Sequence, residues 1–322
     1  MNTPSIQVAA AAIQDEQGRV LLSKRPPHVH QGGLWEFPGG KLEAGETALQ
    51  ALTRELQEEL GIEPLQTEPL IALEHRYSDR LIRLEVFRVG RFSGRPRGRE
   101  GQALRWSHPE AMDPAEFPAA DRPVIQALRL PPHCLITGAD PRDGEWFLQR
   151  LRAALAAGLR LVVLRAHPLD DATYRSLAEA ALSLCREAGA RMLLSRPRAV
   201  APWPGLADGL HLTSRQLLEL AERPTLSGWI GASCHNPAEL ARANRLGLDY
   251  AFLSPVCATP SHPGVEPLGW QRFAAWVAQA NLPVYALGGV GPDDLSRARA
   301  LGAQGVAGIG RFWVDRQHKE FR

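Results

Sequence analysis

The apolar positions along the chain follow two rhythms. Over the first 130 residues they fall into short strand-like runs with few helices. Runs at 6–13 and 20–23 flank Asp15-Glu16-Gln17-Gly18, a turn-rich tetrapeptide, and predict a β-hairpin. A further run at 34–37 ends in Pro38-Gly39-Gly40. Residues 47–60 read as a helix. Thr47 and Gln50 form a capping box, Leu49, Leu52, Leu56 and Leu60 an apolar stripe, and Gly61 stands where a C-terminal cap belongs. Strand-like segments follow near 67–76, 81–89 and 102–106, then a helix near 121–129.

Leu130-Pro131-Pro132-His133 separates this segment from the second rhythm, giving units 1–130 and 131–322. Beyond it, apolar runs near 134–137, 161–164, 192–194, 209–212, 229–232, 250–253, 284–287 and 305–309 alternate with helical stretches such as 144–157, 172–188, 237–245, 267–279 and 292–300. Strands and helices alternating in this way predict a (β/α)8 TIM barrel, so the chain as a whole is α/β, with a mixed sheet in front of the barrel.

Composition narrows the function classes. Lys plus Arg is 37 and Asp plus Glu is 35, a net charge of +2, so no general attraction to nucleic acid or to an acidic membrane is expected. Cys134, Cys185, Cys234 and Cys257 are scattered and form no C-x-x-C pair, which argues against a disulfide framework. No leader-like start and no apolar run long enough to span a bilayer is present, and the expected location is the cytoplasm.

The strongest chemical signal lies in Gly40-Lys41-Leu42-Glu43-Ala44-Gly45-Glu46 and the helix behind it. Glu55, Glu58 and Glu59 share one side of that helix at i, i+3, i+4 spacing. An isolated run of this kind is usually a solvated acidic face. Here a glycine turn, a leucine stripe and Arg54 accompany it, and clustered hard oxygen donors suit Mg²⁺ together with substrate phosphates.

Gly40, Glu46 and Arg54-Glu55-Leu56-Gln57-Glu58-Glu59-Leu60-Gly61-Ile62 match the Nudix box at every defining position. Trp35-Glu36-Phe37-Pro38-Gly39-Gly40-Lys41, Arg99-Glu100-Gly101-Gln102 and Phe117-Pro118-Ala119-Ala120-Asp121-Arg122-Pro123 resemble the MutT branch of that family, the 8-oxo-dGTP diphosphatases. The resemblance covers about residues 5–129. It implies an α/β/α sandwich and a pyrophosphohydrolase that clears oxidised dGTP from the nucleotide pool. It also implies a divalent cofactor, Mg²⁺ with Mn²⁺ as the alternative, held by Glu58, Glu59, Glu100 and the carbonyl of Gly39. Glu55 would be the general base, held by the Arg54–Glu46 ion pair. Arg25, His30, Glu36, Phe37, Pro38, Gly39 and Asp121 would contact a small-molecule nucleotide. Asp121 departs from the asparagine of the bacterial MutT pattern. An ionised carboxylate only accepts hydrogen bonds, and it can donate only when protonated.

Residues 133–314 resemble the thiamine phosphate synthase and TenI family through Val163-Leu164-Arg165, Asp208-Gly209-Leu210-His211-Leu212, Gly231-Ala232-Ser233-Cys234-His235, Asp249-Tyr250-Ala251-Phe252-Leu253-Ser254-Pro255-Val256 and Ala286-Leu287-Gly288-Gly289-Val290. Gly288, Gly289, Gly308 and Gly310 follow the last two strands, where such barrels place a phosphate; a purely structural turn is the alternative. The family's lysine after the second-strand arginine is absent, as Ala166-His167-Pro168 follows Arg165. Ser195-Arg196 stands in place of an Asn-Asp pair, Thr213-Ser214-Arg215-Gln216 lacks the expected acid, and Thr259-Pro260-Ser261-His262 replaces a threonine-lysine stretch. The expectation is that this barrel does not make thiamine phosphate. His211 and His262 are candidate acid–base groups for a tautomerase, with a structural role the alternative for His211. Two other expectations stay open: hydrolysis of a thiamine-pathway pyrophosphate, and a barrel that binds a phosphorylated ligand as a regulatory module.

Overall fold

The computed structural model describes residues 5–78, 80–138, 143–196, 205–259 and 264–313. Its two compact units are Met1–Arg129 and Leu130–Arg322. Among the described residues no helix is long and apolar enough to cross a membrane.

The first unit runs β1 (Ser5–Ile13), β2 (Val20–Lys24), β3 (Trp35–Glu36), β4 (Gly39–Lys41), α1 (Ala48–Leu60), β5 (Glu63–Arg76), β6 (Leu81–Ser93), β7 (Leu104–Ser107) and α2 (Arg122–Arg129). One mixed sheet has the order β4-β1-β6-β5, and a smaller one β3-β2-β7. β1 explains the layering. Its side chains alternate across the sheet. Ala9, Ala11 and Ile13 pack with Ala51, Leu52, Leu56 and Leu60 of α1, while Ala10 and Ala12 pack with Val124, Ile125 and Ala127 of α2. Helices therefore cover both faces, and the alanines let them approach closely.

The expected hairpin of β1 and β2 does not form. The turn closes as read, with Asp15 accepting from the backbone of Gln17 and Arg19. A single bridge, Gln14 with Val20, then joins the strands before they part into separate sheets. The two edges of β1 are already taken by β4 and β6. The leucine stripe of α1 also needs one correction. Leu49, in the first turn, is 43% exposed, and the buried face is Ala51, Leu52, Leu56 and Leu60.

The second unit is β8 (His133–Ile136), α3 (Gly144–Ala156), β9 (Leu161–Arg165), α4 (Asp171–Glu187), β10 (Arg191–Ser195), β11 (Gly209–Leu212), α5 (Ser214–Glu219), β12 (Trp229–Cys234), α6 (Pro237–Arg245), β13 (Tyr250–Leu253), α7 (Gly269–Val277), β14 (Val284–Leu287), α8 (Leu295–Ala300) and β15 (Gly305–Gly308). β8 to β15 close into a barrel of parallel neighbours. Alternate residues fill its inside, among them Cys134, Ile136, Leu161, Val163, Leu193, Tyr250 and Phe252. The residues between them, such as Leu135, Val162 and Leu164, join the helix-facing core. Burial on both sides is why these strands read as unbroken apolar runs.

Candidate active site

The site in the first unit is built by a strand, a glycine turn and a helix. β4 lies on β1 with Gly39 opposite Ala10 and Gly40 opposite Ala9. Gly39 has φ +146°, and a Cβ there would strike the Ala9 carbonyl. A Cβ on Gly40 would overlap the Glu55 carboxylate. Two side-chain-free residues thus bring backbone against the acidic face of α1. Gly40→Ala should push Glu55 off its position in a folded protein, and kcat should fall about ten- to a hundredfold, as misplaced catalytic groups cost. Turnover at the wild-type rate would show that Glu55 tolerates displacement.

Helix α1 is set by its caps. Thr47 and Gln50 make the reciprocal capping box, and Gly61 ends the helix at φ 69°. Arg54 is then the hub. Its guanidinium donates to both carboxylate oxygens of Glu46 at 2.9 and 3.0 Å, to Glu55 at 2.9 Å, to Glu58 at 3.2 Å and to the Lys41 carbonyl at 3.0 Å. Hydrogen bonds from Arg54 and from the Glu43 backbone hold the Glu46 carboxyl down at about 2. The same carboxylates raise Arg54 above its usual value.

The loop after β6 caps the other end of α1. Arg97 and Arg99 donate from their backbone N–H groups to the carbonyls of Leu60 and Glu59, the Arg99 side chain to Gln57, and Gln102 to Glu59. These bonds satisfy carbonyls that a helix end leaves open. They also bring Glu100 near Glu59. Burial, with the charges of Glu36, Glu55 and Glu100 around it, pushes the Glu59 carboxyl up to about 8, against a hydrogen bond from the Gly39 backbone.

This donor set fits a hard divalent cation in its chemistry: several carboxylate oxygens crowd one another without a counter-charge of their own apart from Arg54. Glu58, with 59% of its side chain exposed, leans to Arg54. Among the described residues no three acidic, histidine or cysteine side chains already converge as a complete shell.

A cavity of about 240 Å³ opens beside Gly39 and Gly40. Arg25, His30, Glu36, Phe37 and Asp121 all line it. Arg25 pairs with Glu36 and donates to the His30 carbonyl at 2.9 and 3.1 Å. Phe37 is only 3% exposed and packs on Phe117, so most of its ring belongs to the core. Pro38 is not part of the wall; its carbonyl accepts from Ala11. Asp121 is 8% exposed, and burial followed by the charge of Glu36 raises its carboxyl to about 8. Burial also raises Glu36 in spite of Arg25. Tyr77, Gln31 and Arg80 line the same cavity and have no motif to announce them. Tyr77 meets His30 edge-on, with ring centroids 5.2 Å apart.

In the barrel, Gly288 and Gly289 have φ 91° and 68°. Side chains there would collide with Pro255 and with Cys257 and Ala258, and the Gly288 carbonyl accepts from Cys257. A Cβ at Gly308 would meet the Phe312 ring, whereas Gly310 has open space around it. His211 is held inside the barrel. Tyr250 and Ser233 hydrogen-bond its two ring nitrogens at 2.8 and 2.9 Å, Phe252 stacks on it, and burial lowers it to about 3. Its geometry favours the structural alternative. Pro260, Ser261 and His262 lie outside the described residues.

Residues 9–127 match the family model for the NUDIX domain, and residues 133–312 that for thiamine monophosphate synthase. The chain is 40% identical over 124 residues to the 8-oxo-dGTP diphosphatase of Escherichia coli (strain K12), covering 38% of this chain and 96% of that protein. It is 43% identical over 123 residues to the CTP pyrophosphohydrolase of the same organism, covering 38% and 90%. Over 189 residues it is 35% identical to a putative thiamine-phosphate synthase of Geobacter sulfurreducens, covering 58% and 88%. The chain belongs to both families. Its first unit is a Nudix pyrophosphohydrolase, fused to a thiamine monophosphate synthase family barrel. In the Nudix unit the helix that carries Arg54, Glu55, Glu58 and Glu59 faces Gly39 and Gly40, and the cavity beside that turn carries the residues resembling nucleotide contacts.

Proposed function

We propose that the Nudix unit hydrolyses nucleoside triphosphates to a monophosphate and pyrophosphate with Mg²⁺, Mn²⁺ being the alternative, and that oxidised dGTP is its preferred substrate. The observation that carries this reading is the buried Asp121 on the wall of a cavity that reaches the glycine turn of the acidic helix. With its carboxyl raised to about 8, Asp121 keeps its proton at pH 7. It then offers one donor and one acceptor, as the asparagine of the MutT pattern does. The departure noted in the sequence is thereby compensated by the surroundings of the residue.

Glu58, Glu59, Glu100 and the Gly39 carbonyl would hold the cation, which when bound neutralises phosphate charge and acidifies water. Glu55 takes the proton of the attacking water as its oxygen bonds to phosphorus and the phosphoanhydride bond breaks. Arg54 positions Glu55, and Glu46 positions Arg54. Arg25, His30 and Glu36 bound the nucleotide side of the cavity.

A panel of 8-oxo-dGTP, dGTP, CTP and dTTP with Mg²⁺ tests the reading, and failure to prefer the oxidised purine overturns it. Asp121→Ala should reduce discrimination between oxidised and normal dGTP by about tenfold, within the ~1–3 kcal/mol of a lost buried contact. An equal loss on every nucleotide would instead mark a structural residue. The pH dependence follows in sign: as pH rises through about 8, Asp121 loses its proton and its donor, and discrimination falls. Asp121→Asn cannot titrate, and its preference should stay level between pH 6 and 9.

For the barrel, we propose that it does not join a thiazole phosphate to a pyrimidine pyrophosphate. Supporting this, Arg196 pairs with Asp171 at 2.8 Å, and the Gln216 amide, closing the cap of α5, donates to the Arg196 carbonyl. Neither stretch presents an acid for a metal-held pyrophosphate.

A further inference from the structure

Gln31 is the one non-glycine residue with positive φ, 58°, among the described residues. This is a conformation that side-chain-bearing residues adopt at a cost and that persists only where the surroundings impose it. Here they do. On one side, Arg25 grips the carbonyl of His30 with two N–H groups. On the other, Gly32 donates to the Val29 carbonyl and Gly33 to the Arg25 carbonyl, while the Arg25 N–H reaches Leu34. Gly32 is so close to the Pro26 and Pro27 carbonyls that a Cβ would collide with them. The strapped loop holds Gln31 in this backbone state, and its side chain lines the cavity.

The second observation is independent of the backbone. The Gln31 Oε1 atom is buried and has no hydrogen-bond partner. A buried acceptor left unmet is costly, and such an atom on a cavity wall calls for a donor from whatever fills the cavity. Asp121 lines the same cavity and is polar and buried as well. A buried acceptor atom and a buried carboxyl facing one cavity suit the edge of a flat heterocycle, whose ring nitrogens and substituents lie in a plane.

We infer that Gln31 is a specificity-determining residue whose Oε1 accepts a hydrogen bond from the exocyclic amino group of the nucleobase. This rests on the nucleotide reading of the same site, and it adds a contact that no motif marks. The strapped loop fixes the backbone from which the amide projects, which limits the ordering that recognition must supply.

The experiment compares dGTP with deoxyinosine triphosphate, which differs from it by the absence of the 2-amino group. The wild-type protein should favour dGTP in kcat/KM by about tenfold. Gln31→Gly removes the amide and adopts the same φ without strain, so its melting temperature should equal or exceed that of the wild type. In that variant the dGTP preference should fall to about parity, through loss on dGTP with little change on deoxyinosine triphosphate. An unchanged ratio in the variant overturns the inference, as does the absence of any preference in the wild type. A fall in melting temperature with the ratio intact would make Gln31 structural and overturns it equally. The wild-type rate on 8-oxo-dGTP is measured alongside: hydrolysis there with an unchanged ratio removes Gln31 alone, whereas no hydrolysis of any nucleotide removes the nucleotide reading itself.

Discussion

Glu55→Gln and Glu59→Gln should each lower turnover by at least ~10²-fold while leaving the protein folded. The two substitutions remove different things. Glu55 is held by Arg54 at 2.9 Å and nearly touches Gly40, so its carboxylate is fixed in position as a proton acceptor. An amide in the same place keeps the shape and loses the basicity. Glu59 sits among Glu36, Glu55 and Glu100, and burial makes its charge costly in the absence of a cation. Its amide variant relieves that crowding, so thermal stability in metal-free buffer should hold or rise even as Mg²⁺-dependent hydrolysis collapses. Opposite movement of stability and activity is what separates a ligand from a structural acid. Steady-state hydrolysis and a melting curve on each variant suffice, and near-wild-type hydrolysis in a folded Glu59→Gln protein would sink the assignment.

The second large effect is an absence of growth. The full chain, expressed in a strain that lacks thiamine phosphate synthase, should not restore growth without added thiamine. Joining the two thiamine precursors requires a pyrophosphate leaving group whose charge must be neutralised as it departs. In the barrel, the rim after β9 and β10 offers Arg165, His167 and Arg196. Burial and the neighbouring arginines keep His167 below its usual value. The stretch after β11 is occupied by the Thr213–Gln216 capping box. Growth equal to that given by an authentic synthase would show that arginines alone can take the place of the missing acids and lysine.

Much of the acidic helix was legible because its signals lie within one element. A capping box, a glycine terminator and three glutamates at helical spacing are local features, and local features survive into the structure, as the 3.3 Å bond from Gln50 N–H to Thr47 illustrates. The barrel strands were legible for a different reason: buried on both faces, they stand out as apolar runs. What escaped was decided at long range. The separation of β1 from β2 depends on β6, about seventy residues away, claiming the edge of β1. Leu49 has the spacing of a core residue, and only the depth of the packing reveals that the first turn lies outside it. Tyr77 and Gln31 line the cavity beside Asp121, and of these only Asp121 stands in a motif. Pro38 stands inside a motif, yet its carbonyl is tied to β1. The state of Asp121 could not be read from its letter at all, because burial and Glu36 set it.

The placement of these groups also bears on how such a protein can diverge. Glu55 of the α1 cluster is held by Arg54 and set against Gly40, whereas much of the cavity wall comes from the 25–37 segment, Tyr77 and Arg80 after β5, and the residues before α2. If the proposed contacts hold, exchanges at Gln31 or Asp121 would alter which base is accepted while Arg54 and the caps of α1 stay in place. On that reading, the range of nucleotides accepted could change by single exchanges in the wall, with the acidic helix left as it is.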